Sequence, residues 1–347
     1  MSRILSMLLF LLLLAVPVKA MEFTAPEAPA EVADVVEDAA DSFGQGLWNV
    51  VRYGLSHFDT SLRDAMRICL SATAAVMVCA LLREVSSGTS VKAVDLACTV
   101  AVAGILLEPS ASLIQLGTDT AQELSEYGKL LIPVMTGAMA AQGGVTASAS
   151  LYAGTVLFDS LLSRILTRLT VPMIWLFLAA AIGDSALKES LLGKIRNFIA
   201  WCAGWVLKIV LYLFTGYMTV TGVVGGSADA AAVRAAKAAI STAVPVVGGI
   251  LSDASEAVLV TAGTLGSAAG VYGMLTVLAL FIGPFVRLGV QYLLLKGIGA
   301  LCAAFDSGGA AALVNDFGTA MGLVLGMVGT QTVLLMISCL CLMKGVG

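Results

Sequence analysis

The sequence predicts an all-α membrane protein: a polytopic helical bundle of about seven transmembrane helices, some of them Pro/Gly-broken or re-entrant, after a cleavable signal peptide. Three observations predict it. Of 347 residues, 59% are apolar and 12% charged, against roughly 45–50% and about 25% in an ordinary soluble domain. The charged shell of a soluble fold is missing, so most of the chain must face lipid. The apolar residues fall in long runs, two of which, Val258 to Val286 and Phe317 to Met343, carry no charge at all. The chain also begins with the layout of a secretory signal: Arg3, an apolar stretch from Ile4 to Val16, then Pro17 and Val18-Lys19-Ala20.

The charge divides the chain further. Residues 21–47 hold Glu22, Glu27, Glu31, Asp34, Glu37, Asp38 and Asp41 and no Lys or Arg, while the rest of the chain from residue 48 is near neutral. Four units result: a signal peptide over 1–20, an acidic extracytoplasmic segment over 21–47, an interfacial amphipathic helix over 48–64 and a multi-span domain over 65–347. The helix over 48–64 is expected at the membrane surface because Trp48, Tyr53, His57 and Phe58 alternate with Arg52 and Arg63. No basic face is present, so nucleic acid is not an expected partner.

Within the multi-span domain, Ala65 to Leu82 is the first spanning run, stopped by Arg83-Glu84, and Val91 to Leu107 is the second. Leu130 to Ala141 is too short to cross alone and holds Pro133 and Gly137, so a broken or re-entrant element and a full helix are equally open. Val145 to Leu162 and Leu169 to Gly183 follow. The loop from Asp184 to Asn197 carries Lys188, Lys194 and Arg196 and is expected on the cytoplasmic side. Phe198 to Val224, the Ala-rich helix Ser227 to Ala243 with Arg234 and Lys237, Val258 to Val286, Leu288 to Phe305 and Phe317 to Met343 complete the series.

Ionisable residues inside spans are costly and mark function or structural pairing. Asp95, Asp159, Lys208 and Lys296 qualify, each flanked on both sides by apolar runs. They would serve equally as helix-to-helix pairs or as an ion-coupling relay. A second candidate feature is a repeated P-V-x-x-G, at Pro133 to Gly137 and at Pro245 to Gly249 through Gly248; paired Pro/Gly-broken segments in two halves are a signature of transporter sites. The run Gly318 to Gly329 is dense in small residues, which lets helices approach closely, within one chain or between copies in a homo-oligomer.

The seven cysteines, Cys69, Cys79, Cys98, Cys202, Cys302, Cys339 and Cys341, all lie in apolar runs, which predicts buried free thiols. With one histidine, His57, and no phosphate-binding loop, nucleophile elbow or zinc motif, no cofactor, metal or catalytic residue is expected. The chemistry of a hydrolase or a self-powered pump has nothing to build on.

The block from Ser227 to Ala254 (S-A-D-A-A-A-V-R-A-A-K-A-A-I-S-T-A-V-P-V-V-G-G-I-L-S-D-A), preceded by Gly216 to Val224, resembles the stage III sporulation protein AE family of endospore-forming bacteria. Leu130 to Ala141 (L-L-I-P-V-M-T-G-A-M-A-A) is similar to an earlier proline-containing segment of that family. The resemblance implies a multi-pass protein of the mother-cell membrane surrounding the forespore. It further implies a non-enzymatic subunit of a secretion-like channel complex, partnered by other stage III membrane subunits and an ATPase. Composition and the broken segments alone leave a secondary transporter as the alternative.

Overall fold

A computed structural model describes residues 26–36, 43–86, 90–141, 145–187, 190–220, 268–305 and 309–344. Helices account for nearly all of them, and no strand occurs among the described residues. A short α1 (Ala33–Val36) precedes α2 (Phe43–Val85) and α3 (Ser90–Ala141); α4 (Val145–Ile165) runs through a π-helical turn, Leu166–Thr170, into α5 (Val171–Leu187). Then come α6 (Ser190–Val220), α7 (Ala268–Phe305) and α8 (Gly309–Lys344). Among the described residues, six helical stretches are long and apolar enough to cross a membrane: Phe43–Val85, Val91–Gly137, Gly154–Leu187, Ser190–Tyr217, Gly270–Ala304 and Gly309–Leu340.

Several expected elements merge. The stretch 48–64 is the first part of α2 and continues without a break into the run 65–82, so it is not a separate helix. The second run, the polar stretch after it and Leu130 to Ala141 form one helix of 52 residues, with Pro109 and Pro133 inside. At Pro133 the helix continues, which decides between the full helix and the broken or re-entrant element that the sequence leaves open. Tertiary packing overrides the proline here. Leu131 fills the space left by Gly273 on α7, and Gly128 admits Leu335 of α8, where a Cβ would stand 2.5 and 2.7 Å from those leucines respectively. The runs on either side of Arg164 and Arg168 likewise form a single rod, because the π turn accommodates an extra residue without ending the helix. The signal segment 1–20, the Ala-rich helix, Arg234, Lys237, Pro245, Gly248 and Gly249 lie outside the described residues.

α8 is the centre of the bundle, with every residue from Gly318 to Ile337 buried or partly buried. Glycines set its neighbours' distance. Along α7, Gly299 faces Asn315, while Gly318 faces Leu295 and Lys296 and Gly322 faces Tyr292, the ordered crossing of an antiparallel hairpin. Along α3, Gly117 faces Val324 and Gly128 faces Leu335. Both partners advance about three helical turns together, so α3 and α8 run parallel. The small-residue run on α8 is thus occupied by the chain's own α3 and α7.

The helices exceed a bilayer. At about 1.5 Å per residue, α3 is about 78 Å long and α2 about 65 Å, against a hydrocarbon layer of about 30 Å. Uncharged stretches are bracketed by Arg67 and Arg83 on α2, by Asp95 and Glu108 on α3, and by Arg168 and Asp184 on the rod. The Arg67–Arg83 and Arg168–Asp184 brackets, about 24 Å each, approach the hydrocarbon thickness once the arginines snorkel, while the Asp95–Glu108 bracket is shorter at about 20 Å. Beyond it, Arg52, Asp59, Arg63 and Asp64 on α2 and Asp119, Glu123, Glu126 and Lys129 on α3 are exposed. By this charge pattern that half of the bundle is expected outside the lipid.

Candidate functional site

At the other end the three long hairpins meet, and their polar residues form a connected cap. Asp95, one turn into α3, takes a hydrogen bond and ion pair from Arg83 near the end of α2. Thr99, one turn later, donates to its own Asp95 carbonyl at 2.9 Å and to the Ser185 carbonyl of α5 at 3.2 Å. Gly309, the first residue of α8, sits so close to that Ser185 carbonyl that a Cβ would stand 2.5 Å from its oxygen. Three hairpins are thereby pinned at one level.

Arg196 of α6 is the centre of the cap. Its Nη1 lies 3.0 Å from Asp184 Oδ2 on α5 and 2.8 Å from Asp316 Oδ2 on α8. One guanidinium offsets two carboxylates, and all three side chains are at least three-quarters covered. Lys296 on α7 donates through Nζ to Asn315 Oδ1 at 2.9 Å and to Thr319 Oγ1 at 2.7 Å, both on α8. Cys79 and Cys98, about a turn inward from Arg83 and Asp95, form a disulfide with a Cα–Cα distance of 5.6 Å. The expectation that all cysteines are free thiols is corrected for this pair, because the α2–α3 hairpin brings their Cβ atoms together. Cys69 and Cys202 are free.

The second polar feature lies on the far side of Arg168 from this cap. Asp159 on α4 is 2% exposed, and its Oδ1 has no hydrogen-bond partner. One turn on, Ser163 donates to Gln331 Oε1 of α8 at 2.9 Å, and the Gln331 Nε2 is itself buried without a partner. Gly128 of α3 closes the same space: a Cβ there would stand 3.7 Å from Asp159 Oδ2.

The four charged candidates from the sequence therefore separate into three roles. Asp95 and Lys296 are both in the cap but not with each other; their partners are Arg83 on the one hand and Asn315 and Thr319 on the other. Asp159 is buried with no ion pair among the described residues. Lys208 is exposed on α6 between apolar residues, the position of a side chain that snorkels. Pro133 and Gly137 lie on α3, away from the cap. Arg196 and Asp316 were missed because one was assigned to a loop and the other lies just ahead of an uncharged run. Gln331 carries no formal charge, so a search for ionisable residues passes it. No three His, Cys, Asp or Glu side chains among the described residues are grouped to hold a metal.

The sequence model of a family described as "Stage III sporulation protein AE" matches residues 31–345. A curated protein of that description from Bacillus subtilis (strain 168) is 21% identical over 174 residues, which is 50% of this chain and 44% of the relative. The match thus spans less than half of the relative's own length. No solved structure matches.

Proposed function

This chain belongs to the stage III sporulation protein AE family, and on that premise we propose that it is a non-enzymatic membrane subunit of a secretion-like channel complex required for forespore development. It would reside in the mother-cell membrane around the forespore and work alongside other stage III membrane subunits and an ATPase. Beyond family membership, one observation supports this reading: the bundle continues past the lipid as a helical half carrying exposed charge of both signs, with Trp48, Leu55 and Phe58 exposed on α2. Exposed large apolar residues among charges are the composition of a protein-contact surface. The cap gives such a subunit a fixed framework, since its ion pairs join different helices.

A secondary transporter is the competing reading, and the buried carboxylate of Asp159, with Oδ1 unpartnered, is the observation that favours it. The two readings differ in what removal of isolated charge does. Asp159→Asn and Lys208→Gln in sporulating cells leave spore yield within about twofold of wild type if the chain is a platform. A loss of a hundredfold or more, with the protein still present in the membrane, supports the transporter. Asp95 and Lys296 do not discriminate, because each holds helices together.

A further inference from the structure

We infer that Asp159, with Ser163 and Gln331, forms a binding site for one monovalent cation, a proton or an alkali metal ion, between α4 and α8. The site goes beyond the proposed role in a complex and does not depend on it. Asp159 is 2% exposed with Oδ1 unpartnered. A carboxylate buried without a counter-charge is held so unfavourably that it is found paired, metal-bound or protonated.

Among the described residues, the surrounding elements supply no ion-pair partner, and the positive charge that acts on Asp159 across space is that of Lys129. α3 presents Gly128, and the Lys129 that follows is exposed. α8 presents Leu335 and Gln331, which carry none. α6 presents Tyr217, stacked on Phe158 at 4.3 Å, with Gly154 beside its hydroxyl. On the rod itself, Arg164 and Arg168 are exposed. Among the described residues, Arg83 pairs with Asp95, and Arg196 pairs with Asp184 and Asp316.

The donor set fits a hard, singly charged ion. Thr155, Asp159 and Ser163 recur one turn apart on α4 and are all buried, which lines one face with hydroxyl and carboxylate oxygens. Gln331 fixes the Ser163 hydroxyl and leaves its own Nε2 buried without a partner. Oxygen ligands with a single carboxylate suit a proton or an alkali ion; a soft or multiply charged metal would want thiolates, imidazoles or more carboxylates. A bound cation would neutralise Asp159 and tie α4 to α8. It binds the folded bundle and not the unfolded chain, so it adds stability by mass action.

The test is thermal unfolding of the full chain in mild detergent, at constant ionic strength, from pH 5 to 9 in choline, sodium or potassium chloride. The site predicts that the wild-type midpoint moves by about 2 °C or more across these conditions and that Asp159→Asn abolishes the movement. A fall with rising pH that is equal in all three salts identifies the proton. A higher midpoint in sodium or potassium than in choline at fixed pH identifies the alkali ion. Wild type and Asp159→Asn moving in parallel would overturn the site. Labelling of wild-type Asp159 by an apolar carbodiimide, read by peptide mass spectrometry, needs no variant. Labelling that falls with rising pH or with added alkali ion supports the site, and labelling indifferent to both contradicts it.

Discussion

Arg196 bridges Asp184 and Asp316 with a single nitrogen, at 3.0 and 2.8 Å, and so joins α5, α6 and α8 at the end where the hairpins meet. Removing it would leave two largely covered carboxylates facing each other. Breaking a buried pair by deleting one partner costs about 3 kcal/mol or more. Arg196→Met is therefore expected to lower the unfolding midpoint clearly, and Arg196→Lys to recover only part of the loss, since the ammonium keeps the charge but not the planar fork. Thermal unfolding of the purified variants checks both.

Close approach rather than helix propensity decides which glycines matter. At Gly309 a Cβ would meet the Ser185 carbonyl oxygen at 2.5 Å, and at Gly299 it would meet the Asn315 backbone at 3.0 Å. Gly309→Ala and Gly299→Ala are expected to destabilise by about 1–3 kcal/mol through overpacking against backbone that cannot yield. Gly204 on α6 has nothing within 4 Å of its Cβ position. Gly204→Ala is expected to be neutral or stabilising by up to about 1 kcal/mol.

The Cys79–Cys98 bond closes a short hairpin, with a sequence separation of 19. Cross-linking a loop of this length contributes about 3 kcal/mol in the chain-entropy account. Peptide mapping without reduction is expected to recover the two cysteines as one linked peptide pair, and the Cys79→Ser/Cys98→Ser variant to unfold at lower temperature. Alkylation of both thiols in unreduced protein would contradict the bond.

Orientation brings two observations into opposition. The basic residues Lys92, Lys194 and Arg196 at the capped end favour the cytoplasm. A disulfide near that end favours an oxidising side. We expect the positive charge to govern, because Cys79 and Cys98 are buried within the bundle and shielded from soluble thiols. With a membrane-impermeant thiol reagent on intact cells, Arg52→Cys is expected to be labelled and Lys194→Cys protected. The reverse pattern would invert the topology.

Composition and uncharged runs were enough to show an all-α membrane bundle, because lipid imposes that pattern locally on every helix. Helix continuity was not legible. Pro109, Pro133 and the Arg164–Arg168 stretch look like breaks in one dimension, and only the glycine-lined contacts of α3 with α7 and α8 reveal why the helices persist. Asp95, Lys296 and Asp159 stand out in the sequence by their charge within apolar runs. Partners are not legible there, since the Arg196–Asp316 contact joins residues 120 positions apart and Ser163–Gln331 joins residues 168 apart. The disulfide escaped because seven cysteines in apolar runs carry no pairing information on their own.

The projecting half of α2 gives the assembly account its sharpest local prediction. Leu55 is 62% exposed and Trp48 57% exposed, and neither is part of the core. Leu55→Glu and Trp48→Ala are expected to leave the unfolding midpoint within about 1 °C of wild type, as surface changes do. The same variants are expected to reduce recovery of partner subunits severalfold.

Isolation of the tagged chain from sporulating cells in mild detergent, followed by protein identification, tests the central claim most directly. Co-recovery of other stage III sporulation membrane subunits, diminished by Leu55→Glu, is the predicted result. Recovery of the chain as a lone monomer, from cells in which it still supports spore formation, would contradict its role as a subunit of a complex.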